Sequence, residues 1–247
     1  MLLLQASIGA VNDLADRPVD REKPAKPLPS GMVSDRLART WAALAGALGL
    51  ALALPSGALA VAVAGLGLSL GYAYDIRLSR TAASWLPLSL AVPLVPIYGW
   101  LGATGGVPPA LVPLLPAGVF AGAGLAIGNG LVDLERDEPV GKATVAVRIG
   151  RDRAWAAHAG AFALAILIAM LVAPGGSSTA DAELAGVVRW AGVPIGTAVI
   201  ALGAGLLAVR RASVRERGWE LEAIGTALVG LGWLASLAGT VGGGVGS

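Results

Sequence analysis

The stretch that decides the fold class is residues 108–137, which read PPALVPLLPAGVFAGAGLAIGNGLVDLERD. Residues 108–130 contain no charged side chain, and roughly 20 apolar residues are what a helix needs to cross the hydrocarbon core of a bilayer. The segment then ends in Asp133 and Asp137, which are spaced about one helical turn apart. It therefore predicts a transmembrane helix that places two carboxylates at one membrane surface.

Apolar runs of this kind recur along the chain. Of 247 residues, 55% are hydrophobic and 14% are charged, whereas soluble proteins carry about 25% charged residues. Seven runs are long enough to span a membrane: 37–54, 57–74, 85–103, 108–130, 154–173, 187–208 and 221–242. The Pro55-Ser56-Gly57 sequence predicts a tight turn between the first two runs. We predict an all-α, polytopic transmembrane bundle that forms one domain, 1–247, with about seven full helices and a partial N-terminal helix.

The basic residues predict how the runs are oriented. Seventeen of the eighteen Lys and Arg residues fall in four loops between alternate runs, around 17–39, 77–80, 136–153 and 210–217. Because short loops rich in Lys and Arg remain cytoplasmic, we expect these loops to face the cytoplasm of a multi-pass protein in the cell membrane. A net charge of +2 confined to such loops gives no basis for nucleic acid binding, and the absence of cysteine excludes disulfides and thiolate metal sites.

Two clusters of carboxylates lie in these loops, each at the end of an apolar run. The first reads Asn12-Asp13-Leu-Ala-Asp16-Arg-Pro-Val-Asp20, and the second reads Asp133-Leu-Glu-Arg-Asp137. On a helix, the aspartates of the first cluster fall within roughly 60° of one another, and those of the second within about 40°. Like charges so placed destabilise a helix unless a cation lies between them. Mg²⁺ is commonly held by one or two carboxylates together with substrate phosphates, so the clusters predict a magnesium site for a diphosphate.

A simpler interpretation of either cluster alone is a solvated acidic loop. Two clusters with helical spacing at one membrane surface favour the metal-binding interpretation. Pro18 is expected to end the first helix near Asp16, which weakens the case for Asp20. The remaining acids, Asp35 and Glu222 among them, are predicted to be ordinary solvated loop residues. The single histidine, His158, is predicted to be a packing residue rather than a catalytic one.

Both clusters resemble motifs of the UbiA superfamily of intramembrane prenyltransferases, in particular its 4-hydroxybenzoate polyprenyltransferase-like members. The first motif corresponds to residues 12–31, from Asn12-Asp13 through Lys26-Pro27 to Gly31, and the second to residues 129–144, from Asn129 to Gly141-Lys142-Ala143-Thr144. Between them, residues 72–81 resemble the family's other cytoplasmic loop. Four apolar runs separate the two motifs, in agreement with the family's order of helices.

The resemblance implies nine helices around a central cavity, two magnesium ions on the diphosphate of an isoprenoid donor, ionisation to an allylic cation, and attack by an acceptor. Within this frame the expected catalytic and metal-binding residues are Asp13, Asp16, Asp133 and Asp137, with Asp20 as a further metal ligand. The expected substrate-binding residues are Asn12, Lys26, Arg77, Arg80, Asn129 and Lys142.

The chain departs from the family pattern at several positions. Lys26 stands where arginine is usual, Gly130 where many members have a further aspartate, and Ser79 where many have lysine, so Arg77 or Arg80 is expected to substitute for that lysine. The apolar stretch Met1–Val11 reads as half of a helix without a signal-peptide pattern. It predicts a shortened product that lacks one and a half helices of the family's cavity wall.

Two alternatives stay open from the sequence, and two more are disfavoured. The same carboxylates suit a terpene cyclase of the UbiA type, and a shortened chain suits a catalytically impaired membrane protein. An ion-coupled transporter is disfavoured, because its acids are expected near the bilayer midplane. A CDP-alcohol phosphotransferase is disfavoured because its Asp-Gly-x-x-Ala-Arg pattern is absent. The acceptor is expected to be small and aromatic or lipid-like, whereas the length of the donor chain has no signature.

Overall fold

A computed structural model describes residues 1–17, 27–172 and 180–242, and all regular structure within them is helical. The helices are α1 (Leu2–Asp16), α2 (Asp35–Ala51), α3 (Ala58–Ile76), α4 (Leu86–Ala91), α5 (Leu94–Thr104), α6 (Leu115–Val132), α7 (Leu134–Asp137), α8 (Val145–Ile149), α9 (Arg151–Leu171), α10 (Ala180–Leu207) and α11 (Ala212–Gly242). Short 3₁₀ helices cover Leu54–Ser56, Leu78–Arg80 and Pro109–Leu114. The predicted all-α fold is confirmed.

Five segments of the described chain are long and apolar enough to cross a bilayer. They are Asp35–Ser56, Ala58–Ile76, Leu86–Thr104, Pro109–Val132 and Arg151–Leu171. Helix α10 contains a shorter apolar segment, Ala191–Leu207, and α11 covers the last predicted run. The chain is therefore a multi-pass membrane protein, as its apolar runs predict.

Proline and glycine set the interruptions between these segments. The predicted turn at Pro55-Ser56-Gly57 is present, and Gly57 has a φ of +93°, a conformation that glycine adopts without the steric cost of a Cβ. The run 85–103, predicted as one helix, is instead two helices, α4 and α5, which meet at Pro93. Proline has no N–H to donate to the helical hydrogen-bond pattern, so the helix is interrupted there.

Helix α6 occupies the centre of the bundle, packed against α9 on one side and α4 on the other. Its contact with α9 buries Leu125 against Phe162. Its contact with α4 depends on Gly122, because a Cβ at this position would lie 2.5 Å from the backbone oxygen of Leu88. The central position of α6 matters for function, since the second carboxylate cluster follows directly from its last turn.

Helices α1, α3 and α6 end on the same side of the bundle, and α2, α4, α9 and α11 begin there. Two contacts show how close the chain segments come: Asn12 Nδ2 donates to Asp75 Oδ1 at 3.0 Å, and the Ala143 N–H donates to the Arg80 carbonyl at 3.0 Å. The Arg17 guanidinium also pairs with the Asp35 carboxylate. We call this side, marked by Asp16, Asp75 and Asp133, the carboxylate end.

Candidate active site

The first cluster lies on the last turn of α1. Asn12, Asp13 and Asp16 are each half-buried, and the helix ends at Asp16, as expected from the proline at position 18. The Asn12 amide bonds to Asp75 of α3, so the first cluster is fixed against the end of the third helix. Asp20 and Lys26, two of the predicted site residues, lie outside the described part of the chain.

The second cluster lies where α6 passes into the single turn of α7. Asp137 is buried, and its Oδ1 accepts from Lys142 Nζ at 2.9 Å, while Asp133 pairs with the exposed Arg136. Burial raises the pKa of the Asp133 carboxyl above its usual range, and the neighbouring Arg136 opposes that rise. Asn129, one turn earlier on α6, is half-buried and faces the cavity described below.

Tyr74 of α3 joins the two clusters in space. Its side chain interacts electrostatically with Asp16 of the first cluster and with Asp133 and Asp137 of the second, as well as with the neighbouring Asp75. The clusters are separated by more than a hundred residues of sequence, and the end of α3 lies between them. Asp16, Asp133 and Asp137 therefore all lie at the carboxylate end, within electrostatic range of the Tyr74 side chain.

Asp75 is the site residue that sequence analysis missed. It is buried, it interacts electrostatically with Asp16, and its Oδ2 atom has no hydrogen-bond partner among the described residues. A signal for it was present in the sequence, because Asp75 directly follows the apolar run 57–74, and acidic residues in or beside membrane-spanning segments are commonly functional.

The two arginines of the middle loop differ in position. Arg80 lines an opening of about 450 Å³ together with Asp75 and the last turns of α1. Its backbone carbonyl also holds the loop after the second cluster through Ala143. Both side chains are exposed, and Arg77 lies at the end of α3. Of the two, Arg80 is the one that lines an opening together with Asp75.

A largely apolar cavity of about 340 Å³ extends from the carboxylate end into the bundle. Tyr74 and Asn129 lie at its carboxylate end, and Trp219 of α11 also contacts it. Its walls come from α1, α3, α4, α5 and α6, and no Lys or Arg side chain lines it within the described part of the chain. The site thus combines a polar end with an apolar interior, as needed for a ligand with a charged head and a hydrocarbon tail.

The side chains at the carboxylate end fit a hard divalent cation shared with a ligand. The donors are carboxylate and amide oxygens, and the Asp75 Oδ2 atom is buried without a partner in the described chain. Within the described residues no three His, Cys, Asp or Glu side chains converge into a ready-made metal cage. Magnesium is commonly held by one or two carboxylates and completed by water and substrate phosphates. Lys142 and Arg136 partly neutralise the second cluster.

Comparisons with known proteins agree with the fold. The model of the UbiA prenyltransferase family matches residues 1–224. A UbiA homolog from Aeropyrum pernix K1 superposes with a TM-score of 0.70 at 19% identity, covering 95% of this chain and 86% of that one. A homolog from Archaeoglobus fulgidus, solved bound to GPP and Mg²⁺, gives 0.66 at 22% identity, covering 95% and 87%. A structure concerned with digeranylgeranylglyceryl phosphate synthase superposes with a TM-score of 0.68 at 19% identity. The match covers 95% of this chain and 82% of that one.

No curated protein matches the sequence at a significant level. The structural likenesses are all at low identity, and they establish the shared architecture. The family model covers most of the chain, including both carboxylate clusters and the loop between them. The chain belongs to the UbiA prenyltransferase family.

Proposed function

We propose that this protein is an integral membrane prenyltransferase that ionises a prenyl diphosphate between its two carboxylate clusters and passes the prenyl group to a small acceptor. The observation that carries the proposal is the position of Tyr74, which lies within electrostatic range of carboxylates from both clusters and at the polar end of an apolar cavity. A diphosphate head at the carboxylates then has its hydrocarbon tail in the cavity.

The carboxylates supply the binding site for the diphosphate through magnesium. Asp13 and Asp16 of α1 form one side of the site, and Asp133 and Asp137 form the other. Bound magnesium supplies positive charge that stabilises the departing pyrophosphate. Support for this chemistry in the family comes from the Archaeoglobus fulgidus homolog solved with GPP and Mg²⁺.

The basic and amide side chains orient the diphosphate. Lys142 already lies 2.9 Å from Asp137, so a small movement of its flexible stem is enough to bring the ammonium to a phosphate oxygen. Arg80 reaches the same region from the middle loop, and Asn129 offers an amide beside the second cluster. Lys26 and Asp20 remain predicted contributors outside the described residues.

The reaction breaks the bond between the allylic carbon and the diphosphate oxygen, whose electron pair leaves with pyrophosphate. The acceptor then donates an electron pair to the allylic cation, forms the new bond, and loses a proton. The largely apolar cavity walls limit the access of water to the cation, because aliphatic side chains offer no hydrogen bonds to hold water there. An aromatic acceptor suits such a cavity, since an electron-rich ring needs no basic side chain to bind it.

The sidedness follows from the loop charges. The Lys- and Arg-rich loops of the sequence lie between alternate apolar runs, and the positive-inside rule supports a cytoplasmic position for the carboxylate end. Prenyl diphosphate would therefore enter from the cytoplasmic surface with its head at the carboxylates.

The test is a magnesium-dependent assay of the protein in membranes, with geranyl, farnesyl and geranylgeranyl diphosphates against a panel of aromatic and lipid acceptors. The expected result is transfer of the prenyl group that EDTA abolishes, and Asp13→Ala and Asp133→Ala should each eliminate it. Activity retained in both variants contradicts the proposed site. Release of a prenyl alcohol or a cyclised hydrocarbon without any transfer identifies a cyclase instead.

A further inference from the structure

We propose that one face of α11, formed by Arg215, Trp219 and Glu222, is a positioning device for the second carboxylate cluster. We call it the anchoring face. Its three residues lie within about 60° of one another on the helix. Arg215 and Trp219 contact α6 or α7 directly, and Glu222 reaches α6 through His158 of α9; α6 and α7 are the helices that lead into and carry Asp133 and Asp137. The inference rests on the proposed function, because it assumes that these two aspartates bind the metal.

The first contact of the anchoring face joins Arg215 to Glu135. Glu135 lies between Asp133 and Asp137, and two residues along a helix is about 200°, so its side chain points away from theirs. The Glu135 carboxylate pairs with the guanidinium of Arg215, which is 1% exposed, and with Arg151 at 3.8 Å. The cluster therefore has two faces: the aspartates face the site, and the glutamate is bound to the rest of the bundle.

Arg215 and Arg151 are themselves fixed to the end of α10. Arg215 donates to the carbonyls of Val132 and Arg210, and Arg151 donates to the carbonyls of Ala208 and Val209. The end of α6, the end of α10 and the first turns of α9 and α11 thus meet around two guanidinium groups. Because α7 is a helix of only four residues, its orientation depends on such outside contacts.

Two further contacts join α11 to the body of α6, one directly and one through His158 of α9. Trp219 Nε1 donates to the Leu125 carbonyl at 2.9 Å. Glu222 Oε1 lies 2.8 Å from His158 Nε2, and His158 Nδ1 lies 2.8 Å from the Gly124 carbonyl. These contacts hold the segment of α6 that leads directly to Asn129 and Asp133.

The His158–Glu222 pair is neutral overall. A carbonyl can only accept, so the His158 Nδ1 atom carries a proton, and the bond between Nε2 and Oε1 holds one more proton, whichever atom bears it. Both side chains are completely buried, and a neutral pair is the arrangement that an apolar interior tolerates. Glu222 is therefore a structural member of the anchoring face, and its prediction as a solvated loop residue is wrong.

A device that orients metal ligands has a measurable signature. Loss of partners that orient metal ligands commonly lowers metal affinity or activity by about 10-fold to 100-fold. The appropriate variant is Glu135→Gln, because Glu135 is 55% exposed and its replacement keeps the shape of the side chain. Glu138→Gln is the matched control, since it removes the same charge from an exposed side chain of the next turn.

Two measurements are made on each full-length variant. The first is the magnesium concentration for half-maximal consumption of prenyl diphosphate. The second is the mobility of a nitroxide label attached to the cysteine of a Val140→Cys substitution, at an exposed position just after α7. The label attaches only there, because the chain itself has no cysteine. Trp219→Phe, which removes the donor to Leu125, serves as a second variant of the anchoring face.

For Glu135→Gln we expect a half-maximal magnesium concentration raised at least 10-fold, a smaller change in kcat at saturating magnesium, and a more mobile label. Trp219→Phe should change the magnesium dependence in the same direction, and Glu138→Gln should match the unaltered protein. A label as immobile in Glu135→Gln as in the control overturns the inference, and so does an unchanged magnesium dependence. An unaltered protein that never consumes prenyl diphosphate contradicts the proposed function instead, while the label still tests the anchoring face.

Discussion

Replacing Asp133 by asparagine is the most direct test of the second carboxylate cluster. The substitution keeps the size of the side chain and removes one negative charge. It also removes the pair with Arg136, whose side chain is 64% exposed, and exposed ion pairs contribute about 0–1 kcal/mol to stability. Burial raises the pKa of the Asp133 carboxyl, so removing its charge relieves a desolvation cost. We therefore expect Asp133→Asn to unfold at nearly the same temperature as the unaltered protein.

The effect on turnover should be much larger than the effect on stability. Two opposite unit charges about 4 Å apart near a protein surface interact by about 4 kcal/mol, and this corresponds to about a 1000-fold change in rate. We expect kcat/KM for the prenyl diphosphate to fall by about that factor. The assay measures consumption of a radiolabelled prenyl diphosphate by purified protein over a magnesium titration.

Glu138→Gln is the control, because it removes an exposed charge from the same loop. Activity within threefold of the unaltered protein in Asp133→Asn, with magnesium saturating, would refute the assignment of Asp133 to the metal site. A loss of the same size in Glu138→Gln would refute the reasoning as well, since the effect would then report the net charge of the loop.

Three further predictions concern the cation beside the site, the cavity and the orientation. Lys142→Met leaves the buried Asp137 carboxylate without its lysine partner, a loss that costs about 3–5 kcal/mol. Magnesium should therefore raise the unfolding temperature of this variant more than that of the unaltered protein. The measurement is thermal unfolding with EDTA and with magnesium, and an equal shift in both proteins would contradict the prediction. Gly67 lines the cavity, and a Cβ there would meet nothing within 4 Å. Gly67→Phe should therefore narrow the cavity and raise KM for geranylgeranyl diphosphate more than for geranyl diphosphate. Equal changes in KM for both donors would argue against a prenyl tail in this cavity. A cysteine at Glu138 should react with an impermeant maleimide only in inverted membrane vesicles and one at Gly106 only in right-side-out vesicles, whereas the reverse pattern would overturn the cytoplasmic placement.

Much of the fold could be predicted from the sequence, because the bilayer restricts the choices. An apolar run of sufficient length forms a helix in a membrane, since its backbone groups have no other hydrogen-bond partners. The run 85–103 shows where this reasoning ends. Its length and composition predict one helix, but Pro93 divides it into α4 and α5. Hydropathy measures only how apolar a residue is, so it does not show that proline lacks the backbone N–H that a continuous helix needs.

The polar residues divide in the same way. Spacing on a helix placed Asp13 with Asp16 and Asp133 with Asp137, which are local relations. It gave no means of recognising that Asp75 lies beside Asn12, or that Glu222 is buried against His158. Those partners are separated by more than sixty residues, and only the packing of whole helices brings them into contact.

The sequence by itself determined that this protein spans a membrane, that its carboxylates come in two helically spaced clusters, and that both follow apolar runs. These properties depend on composition and on a period of 3.6 residues, which neighbours along the chain define. Only the tertiary structure decided that Tyr74 lies within electrostatic range of both clusters, that it also lines an apolar cavity, and that Glu135 is held by the buried Arg215. The reason is that helices distant in sequence meet through side-chain packing, and a site made from several of them exists only after they have met.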